Sequence, residues 1–270
     1  MSQSVVPAIE EKQLDTSPTL TFEEYKVYQS KDDVKYELYK GKLIPMATAS
    51  ALHTSICEFW VYKLQRYLAE QNLDVVVKTS VGVRTEDATS RIPDVVVCTE
   101  SLWQQALARP GSGILDFDET PLLVIEVVSK DRRADYITKR VEYEQANVPE
   151  YVIIDPAQNR QRVRVMAFLE GDDIYTELNY LPGEEMVSVV FPNLRLSVDE
   201  ILCPPLVEGL IKEEQARLQE LGQQATTERQ RADDERQRAD DEHQRADDES
   251  QRAERLAARL RELGVDPDSL

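Results

Sequence analysis

Apolar positions change their period several times along the chain, and each change marks an expected element. Across 50–70 the residues Ile56, Phe59, Trp60, Leu64, Tyr67 and Leu68 recur at helical spacing, which predicts a long helix. Ahead of it, Tyr36 and Leu38 mirror Leu43 and Ile44 across Lys40-Gly41, the pattern of a β-hairpin. Thr21 and Glu24 fit a capping box that opens a short helix through about Gln29. Downstream, 73–83 and 92–98 read as strands, 101–108 as a helix, and the nearly continuous apolar run 122–128 as a buried strand. Helical character returns at 133–146 and strand character at 151–154. Further strands are expected at 160–169, 173–180 and 186–198, punctuated by Gly171, Pro182-Gly183 and Pro192. This order predicts an α/β fold, with a mixed sheet flanked by helices.

After Pro204-Pro205 the pattern changes abruptly, and from Glu228 a seven-residue unit repeats as ERQRADD, ERQRADD, EHQRADD and ESQRAER. The expected division is a poorly ordered leader at 1–19, a folded domain at 20–203 and a long charged helix at 204–270. One heptad stripe carries Ala225, Ala232, Ala239, Ala246, Ala253 and Leu260, but the matching second seam holds Glu228, Glu235, Glu242 and Glu249. That seam is too polar for a strong coiled coil. Acid-first pairs four residues apart, Asp234–Arg238, Asp241–Arg245 and Asp248–Arg252, instead predict a solvated helix. Residues 228–252 thus read as a spacer, and 253–263, with Leu256, Leu260 and Leu263, as an oligomerisation or partner-binding segment.

The charge balance narrows the function. The chain of 270 residues carries 32 Lys plus Arg against 51 Asp plus Glu, a net charge of −19. Both parts are acidic: 18 acids and 11 bases after residue 205, against 33 and 21 before it. A simple electrostatic DNA binder is excluded, because such affinity rests on Lys and Arg neutralising phosphates. Cys57, Cys98 and Cys203 form no C-x-x-C pair, which argues against a disulfide framework or zinc knuckle and for a reducing compartment, the cytoplasm. No basic and apolar leader and no run of about eighteen apolar residues points to secretion or a membrane span.

Chemistry enters with two acids. Glu126 interrupts the apolar LLVIEVVS, and burying an unpaired carboxylate costs several kcal/mol unless a partner or cation compensates. Asp94 in RIPDVVVC stands just before another apolar run, so pairing of the two strands would bring both carboxylates to one sheet edge. Converging acids suit a hard divalent cation that activates water and offsets charge in phosphoryl displacement. The structural alternatives are a turn cap for Asp94 and a buried Arg or Lys partner for Glu126. Asp135, Lys139 and Tyr143 follow at helical spacing, so Lys139 either points back at the acids or pairs with Asp135 on the surface.

Together, YELYKGKL, His53, RIPDVVVC and PLLVIEVVSKDRRADYITKRVEYEQANVPEYVIIDP resemble the Uma-two family of endonucleases, within the PD-(D/E)XK restriction-endonuclease-like superfamily. The resemblance covers about 20–200. It implies a restriction-endonuclease-like core that binds Mg²⁺ or Mn²⁺ and cleaves DNA. Residue by residue, it implies Asp94 and Glu126 as metal ligands, Lys139 in place of the signature lysine whose position holds Val128, and Glu37 as a further ligand or holder of the water. Lys42 and MATASALH depart from the family pattern in the amino-terminal part of the site.

Glu37 has an equal alternative as a hairpin acid paired with a base. His53 is read as capping its helix, with contact to phosphate as the alternative, His243 as a surface residue, and Tyr143 as packing on the sheet. Lys130, Arg132 and Arg133 are candidate phosphate contacts near the site, while Arg160, Arg162 and Arg164 read as the outer face of an edge strand. The expectation is a metal-dependent DNA endonuclease that acts as a homodimer. The alternative is an inactive nuclease-like assembly protein that recruits partners through its terminal helix.

Overall fold

The structure is a computed structural model that describes residues 19–30, 34–111, 113–128 and 132–262. Nearly all of the expected leader at 1–19, Lys130 and Leu263 lie outside the described residues. Thr21 caps α1 (Phe22–Lys26) through a reciprocal box in which Glu24 N donates to Thr21 Oγ1 at 3.2 Å and Thr21 N to Glu24 Oε2 at 2.8 Å. The helix ends earlier than its expected limit at Gln29. There Tyr25 OH donates to Tyr36 O at 2.6 Å and Tyr28 packs edge-on against Tyr36, tying this end of the chain to the hairpin. That hairpin, β1 (Tyr36–Tyr39) and β2 (Lys42–Pro45), turns at Lys40 and Gly41, both with positive φ (49° and 79°), as a two-residue primed turn requires.

The long helix α2 (Ala51–Glu70) starts at Ser50, whose side chain accepts from His53 N, and buries Ile56, Phe59, Trp60, Leu64 and Leu68. Fully burying a side chain of the Leu or Phe type stabilises by about 1.5–3 kcal/mol, so this face anchors the helix. The run 73–83 divides into β3 (Val75–Lys78) and β4 (Gly82–Glu86), which belong to different sheets. β5 (Thr89–Arg91) has no apolar pattern and was not expected, although all three residues are buried. Next come β6 (Val95–Thr99), α3 (Glu100–Leu107), β7 (Ile114–Leu115) and β8 (Leu123–Val127). A π-helical turn, Ala134–Thr138, leads into α4 (Lys139–Gln145). β9 (Glu150–Asp155), β10 (Arg162–Ala167), β11 (Thr176–Tyr180), β12 (Glu185–Val187), β13 (Arg195–Ser197), α5 (Val198–Leu202) and α6 (Val207–Glu262) complete the order.

Among the described residues the strands form a sheet in the order β2-β1-β5-β4-β7, a larger one in the order β11-β10-β9-β8-β6-β3, and the pair β12-β13. Every residue of β8 and β9 is buried, which explains their nearly unbroken apolar runs. β8 and β9 are parallel and joined through α4, whereas β6 and β8 are antiparallel with Val95 opposite Ile125. Extending that register by one residue sets Asp94 across from Glu126.

Two strand expectations are corrected. β10 is an interior strand between β9 and β11, and β11 forms the edge. Arg164 is thereby met by Glu177 of the neighbouring strand at 3.3 Å and stacks 4.9 Å from the Tyr136 ring. The stretch 186–198 is not one strand, because Glu150 Oε2 takes the amides of Val189 and Val190 at 2.9 and 2.8 Å, removing them from any ladder.

The chain divides into two compact units, 1–207 and 208–270. Among its described residues the second is α6 from residue 208 to Glu262, and the helix buries none of them. Among the described residues Asp234–Arg238, Asp241–Arg245 and Asp248–Arg252 do not close as ion pairs, while Arg259 meets Glu262 at 2.6 Å. No described helix is long and apolar enough to cross a membrane.

Candidate active site

Asp94 and Glu126 meet where β6 and β8 run side by side. Asp94 Oδ2 accepts from Val127 N at 2.7 Å, and its Oδ1 lies 2.8 Å from His53 Nε2. Glu126, only 4% exposed, receives Lys139 Nζ at 2.7 Å and Tyr143 OH at 3.1 Å, both on Oε1. Lys139 also lies 3.4 Å from Asp135 and 3.5 Å from Glu37. The π-helical turn just before Lys139 closes with Lys139 N donating to Ala134 O, five residues back.

Behind these groups sits a buried arginine. Arg91 grips Glu142 with two bonds, Nε to Oε2 at 2.6 Å and Nη2 to Oε1 at 2.8 Å, and reaches Glu37 Oε2 with Nη1 at 3.0 Å. Its guanidinium stacks 4.4 Å from the Tyr39 ring centroid. Glu37 Oε1 additionally accepts from Ile92 N at 3.1 Å. Glu37 is therefore a hairpin acid paired with a base, as its alternative reading expects, and it also neighbours Lys139.

The ledger of charge is uneven. Glu37, Glu126, Asp135 and Glu142 are buried against two cations, Lys139 and Arg91, a formal surplus of two carboxylates, while Asp94 beside them is half-buried and bonds His53. Burial pushes the Glu126 carboxyl up against the pull of Lys139, and Asp94, Glu37 and Asp135 add to the rise. For Lys139 burial acts downward, but Glu126, Glu37 and Asp135 outweigh it and hold the ammonium above its ordinary range. The hydrogen bond to Asp94 raises His53 against the effect of burial. Such a surplus of buried carboxylate is stable only with a cation or with protons.

The same groups open onto a cavity of about 800 Å³ lined by Glu37, His53, Asp94, Glu126, Lys139 and Arg133, among others. Arg133 is thus the described candidate phosphate contact that reaches the cavity wall. Arg132 is drawn off to Asp155 at 2.7 Å, which also accepts from Tyr136 OH at 3.0 Å.

Two roles differ from expectation. His53 does not cap α2; Ser50 does, and the imidazole turns to Asp94 instead. Tyr143 does pack against a sheet residue, Tyr151, with ring centroids 4.9 Å apart, yet its hydroxyl also binds Glu126. The Arg91–Glu142 pair joins residues 51 apart and carried no local signal. Cys57 was also passed over, though it falls four residues after His53 on the same helix.

A mixed sheet carrying clustered acids and a lysine beside a cavity is the arrangement of a restriction-endonuclease-like fold. Residues 22–199 match the model of the Uma2 family, described as "putative restriction endonuclease", and the chain belongs to that family. The fold is shared with the crystal structure of a "putative nuclease belonging to DUF820" from Anabaena variabilis ATCC 29413, at 19% identity and a TM-score of 0.53. The likeness covers 68% of this chain and 97% of that one. No curated protein matches the chain.

Proposed function

We propose that the chain is a divalent-cation-dependent DNA endonuclease. The observation that carries this reading is the surplus of buried carboxylate beside Lys139 at the cavity wall. The residues fit the cation the family implies: Asp94 and Glu126 stand opposite each other on neighbouring strands and both line the cavity, Glu126 Oε2 takes no part in the bonds to Lys139 and Tyr143, and all donors of this pair are hard oxygens. Asp94 and Glu126 would hold Mg²⁺ or Mn²⁺, which when bound supplies a Lewis acid for the phosphoryl oxygen and lowers the pKa of water.

The protein's own groups then have separate tasks. Lys139, already fixed against Glu126, orients the attacking water or a phosphate oxygen. Glu37 is a positioning residue that holds Lys139 and Arg91 in place. Arg133 contacts the phosphate backbone, and Lys130 and Arg132 assist only if substrate draws them in. The net charge of −19 means that such binding is weak in salt and restricted in substrate. Free cysteines suit a reducing, cytoplasmic setting, and a homodimer would cut both strands with two like sites.

The test is conversion of supercoiled plasmid to nicked and linear forms with Mg²⁺ or Mn²⁺ in low salt. Wild type is expected to cut, and Glu126→Gln and Lys139→Ala to lose at least about a hundredfold while keeping their fold. Undiminished cutting by Glu126→Gln would remove the proposed site. A second reading, an inactive assembly protein, draws on the exposed Leu218, Leu221 and Leu256 of α6, and gains if wild type fails to cut any DNA form.

A further inference from the structure

Cys57, beside His53 and Asp94, is a side chain that the nuclease chemistry leaves unused. It follows His53 by one turn of α2, so both project from one face of the helix toward the end of β6. A ligand atom from each of His53, Cys57 and Asp94 lies within 4.8 Å of the other two. Ligands around a tetrahedral ion with the usual bond lengths stand about 3.4–3.7 Å apart, so small side-chain rotations close the set. Cys57 is half-buried.

Donor chemistry decides which ion fits. Mg²⁺ takes oxygen and keeps its water, whereas one sulfur, one imidazole nitrogen and one carboxylate oxygen suit a borderline-soft ion. Three protein ligands with a fourth position open is also the composition of a reactive rather than a closed structural zinc site. The opening here is the cavity, which His53 and Asp94 both line.

We propose that His53, Cys57 and Asp94 form a second cation site, selective for a transition ion of the Zn²⁺ class, that shares Asp94 with the hard-cation position. On binding, the ion takes the place of the proton between His53 Nε2 and Asp94 Oδ1, that proton passing to Nδ1 through solvent in a neutral ring or leaving to solvent from a protonated one, and the thiol releases its proton to solvent as the metal–sulfur bond forms. Because Asp94 serves both positions, zinc occupancy competes with Mg²⁺ for that carboxylate. The site itself is a matter of binding and does not depend on the chain cutting DNA.

Co²⁺ is the probe, since thiolate ligation gives an intense near-ultraviolet charge-transfer band and tetrahedral coordination gives visible bands. Full-length protein stripped with chelator is titrated with Co²⁺ under reducing conditions, and then with Zn²⁺. Both sets of bands are expected to saturate at one ion per chain and to bleach as Zn²⁺ displaces Co²⁺. Cys57→Ser and Cys57→Ala should lose the charge-transfer band, and His53→Ala should bind at least about tenfold more weakly. Two cysteine substitutions guard against one that disturbs the fold, which circular dichroism checks. Cys203→Ser and Glu126→Gln should keep the bands, the latter even though cleavage is expected to vanish in it. A charge-transfer band that survives in the Cys57 variants, its absence in wild type, or loss of the bands in Glu126→Gln would each overturn the proposal.

Discussion

The first unit and α6 use the same charged residue types to opposite ends. Around Glu126 the carboxylates are buried, bonded at 2.6–3.1 Å to Arg91, Lys139 or Tyr143, and outnumber their cations. Along α6 acids and bases alternate by the heptad and remain exposed. Water screens the second arrangement and can scarcely reach the first, so identical residues are weak on the helix and decisive in the core. Charge count alone is therefore a poor guide to where chemistry resides. A chain with a net charge of −19 hides its buried acids among many that only keep a helix solvated.

The sharpest way to break this contrast is to remove the buried cation that serves two acids. Arg91→Met leaves Glu37 and Glu142 facing each other without their shared partner. Taking away one member of such a buried set costs about 3–5 kcal/mol, which urea denaturation would read directly. Arg91→Lys should fall between, because an ammonium cannot reproduce the two-pronged grip on Glu142. A loss under about 1 kcal/mol for the methionine variant would mean that water reaches the network and that the two regions are not so different.

A smaller effect should follow pH at Glu150. Burial raises this carboxyl above its ordinary value of 4.5, although Val190, Ser188 and Val189 donate to it and pull the other way. A raised carboxyl holds its proton longer in the folded state than in the unfolded one. Its contribution to stability is therefore full below about 4.5 and is lost as pH rises through the folded value. Glu150→Gln, which keeps an acceptor for the three donors but cannot ionise, should gain on wild type in melting temperature as pH climbs from 4.5. A constant difference across that range would show that the charge is solvated after all.

How much of this was legible depended on whether the signal was local. Glu126 announced itself because a carboxylate inside LLVIEVVS violates the apolar pattern, and Asp94 because it abuts one. A strand, a helix and a second strand in that order were legible from 122 to 154, and the structure adds that the two strands pair in parallel. β5 was invisible because its buried residues are Thr89, Ser90 and Arg91, polar groups whose burial only tertiary partners make tolerable. The Arg160 series was read as an edge because alternation is the same on any strand with one polar face, and the partner Glu177 lies on a strand not yet placed. His53 and Cys57 stood at a visible helical spacing, but Asp94, 41 residues beyond His53, supplies the contact that gives them meaning.

The smallest effect should come from deleting α6. All 56 residues of the helix are charged, polar or only partly covered, and none of those described is buried. A chain ending at Pro205 should accordingly keep the melting temperature of the first unit to within about a degree or two, since surface groups away from buried partners contribute little. Helical circular dichroism should fall steeply while the cooperative transition stays. Light scattering on both forms then separates the spacer from the oligomerisation reading of the segment around Leu256 and Leu260. An unchanged number of chains per particle leaves the helix as a solvated extension. A dimer that becomes a single chain on truncation, with a melting temperature that depends on protein concentration only in the full chain, would mean that its exposed leucines find partners on another copy, and that the contrast between buried and solvated charge ends where two chains meet.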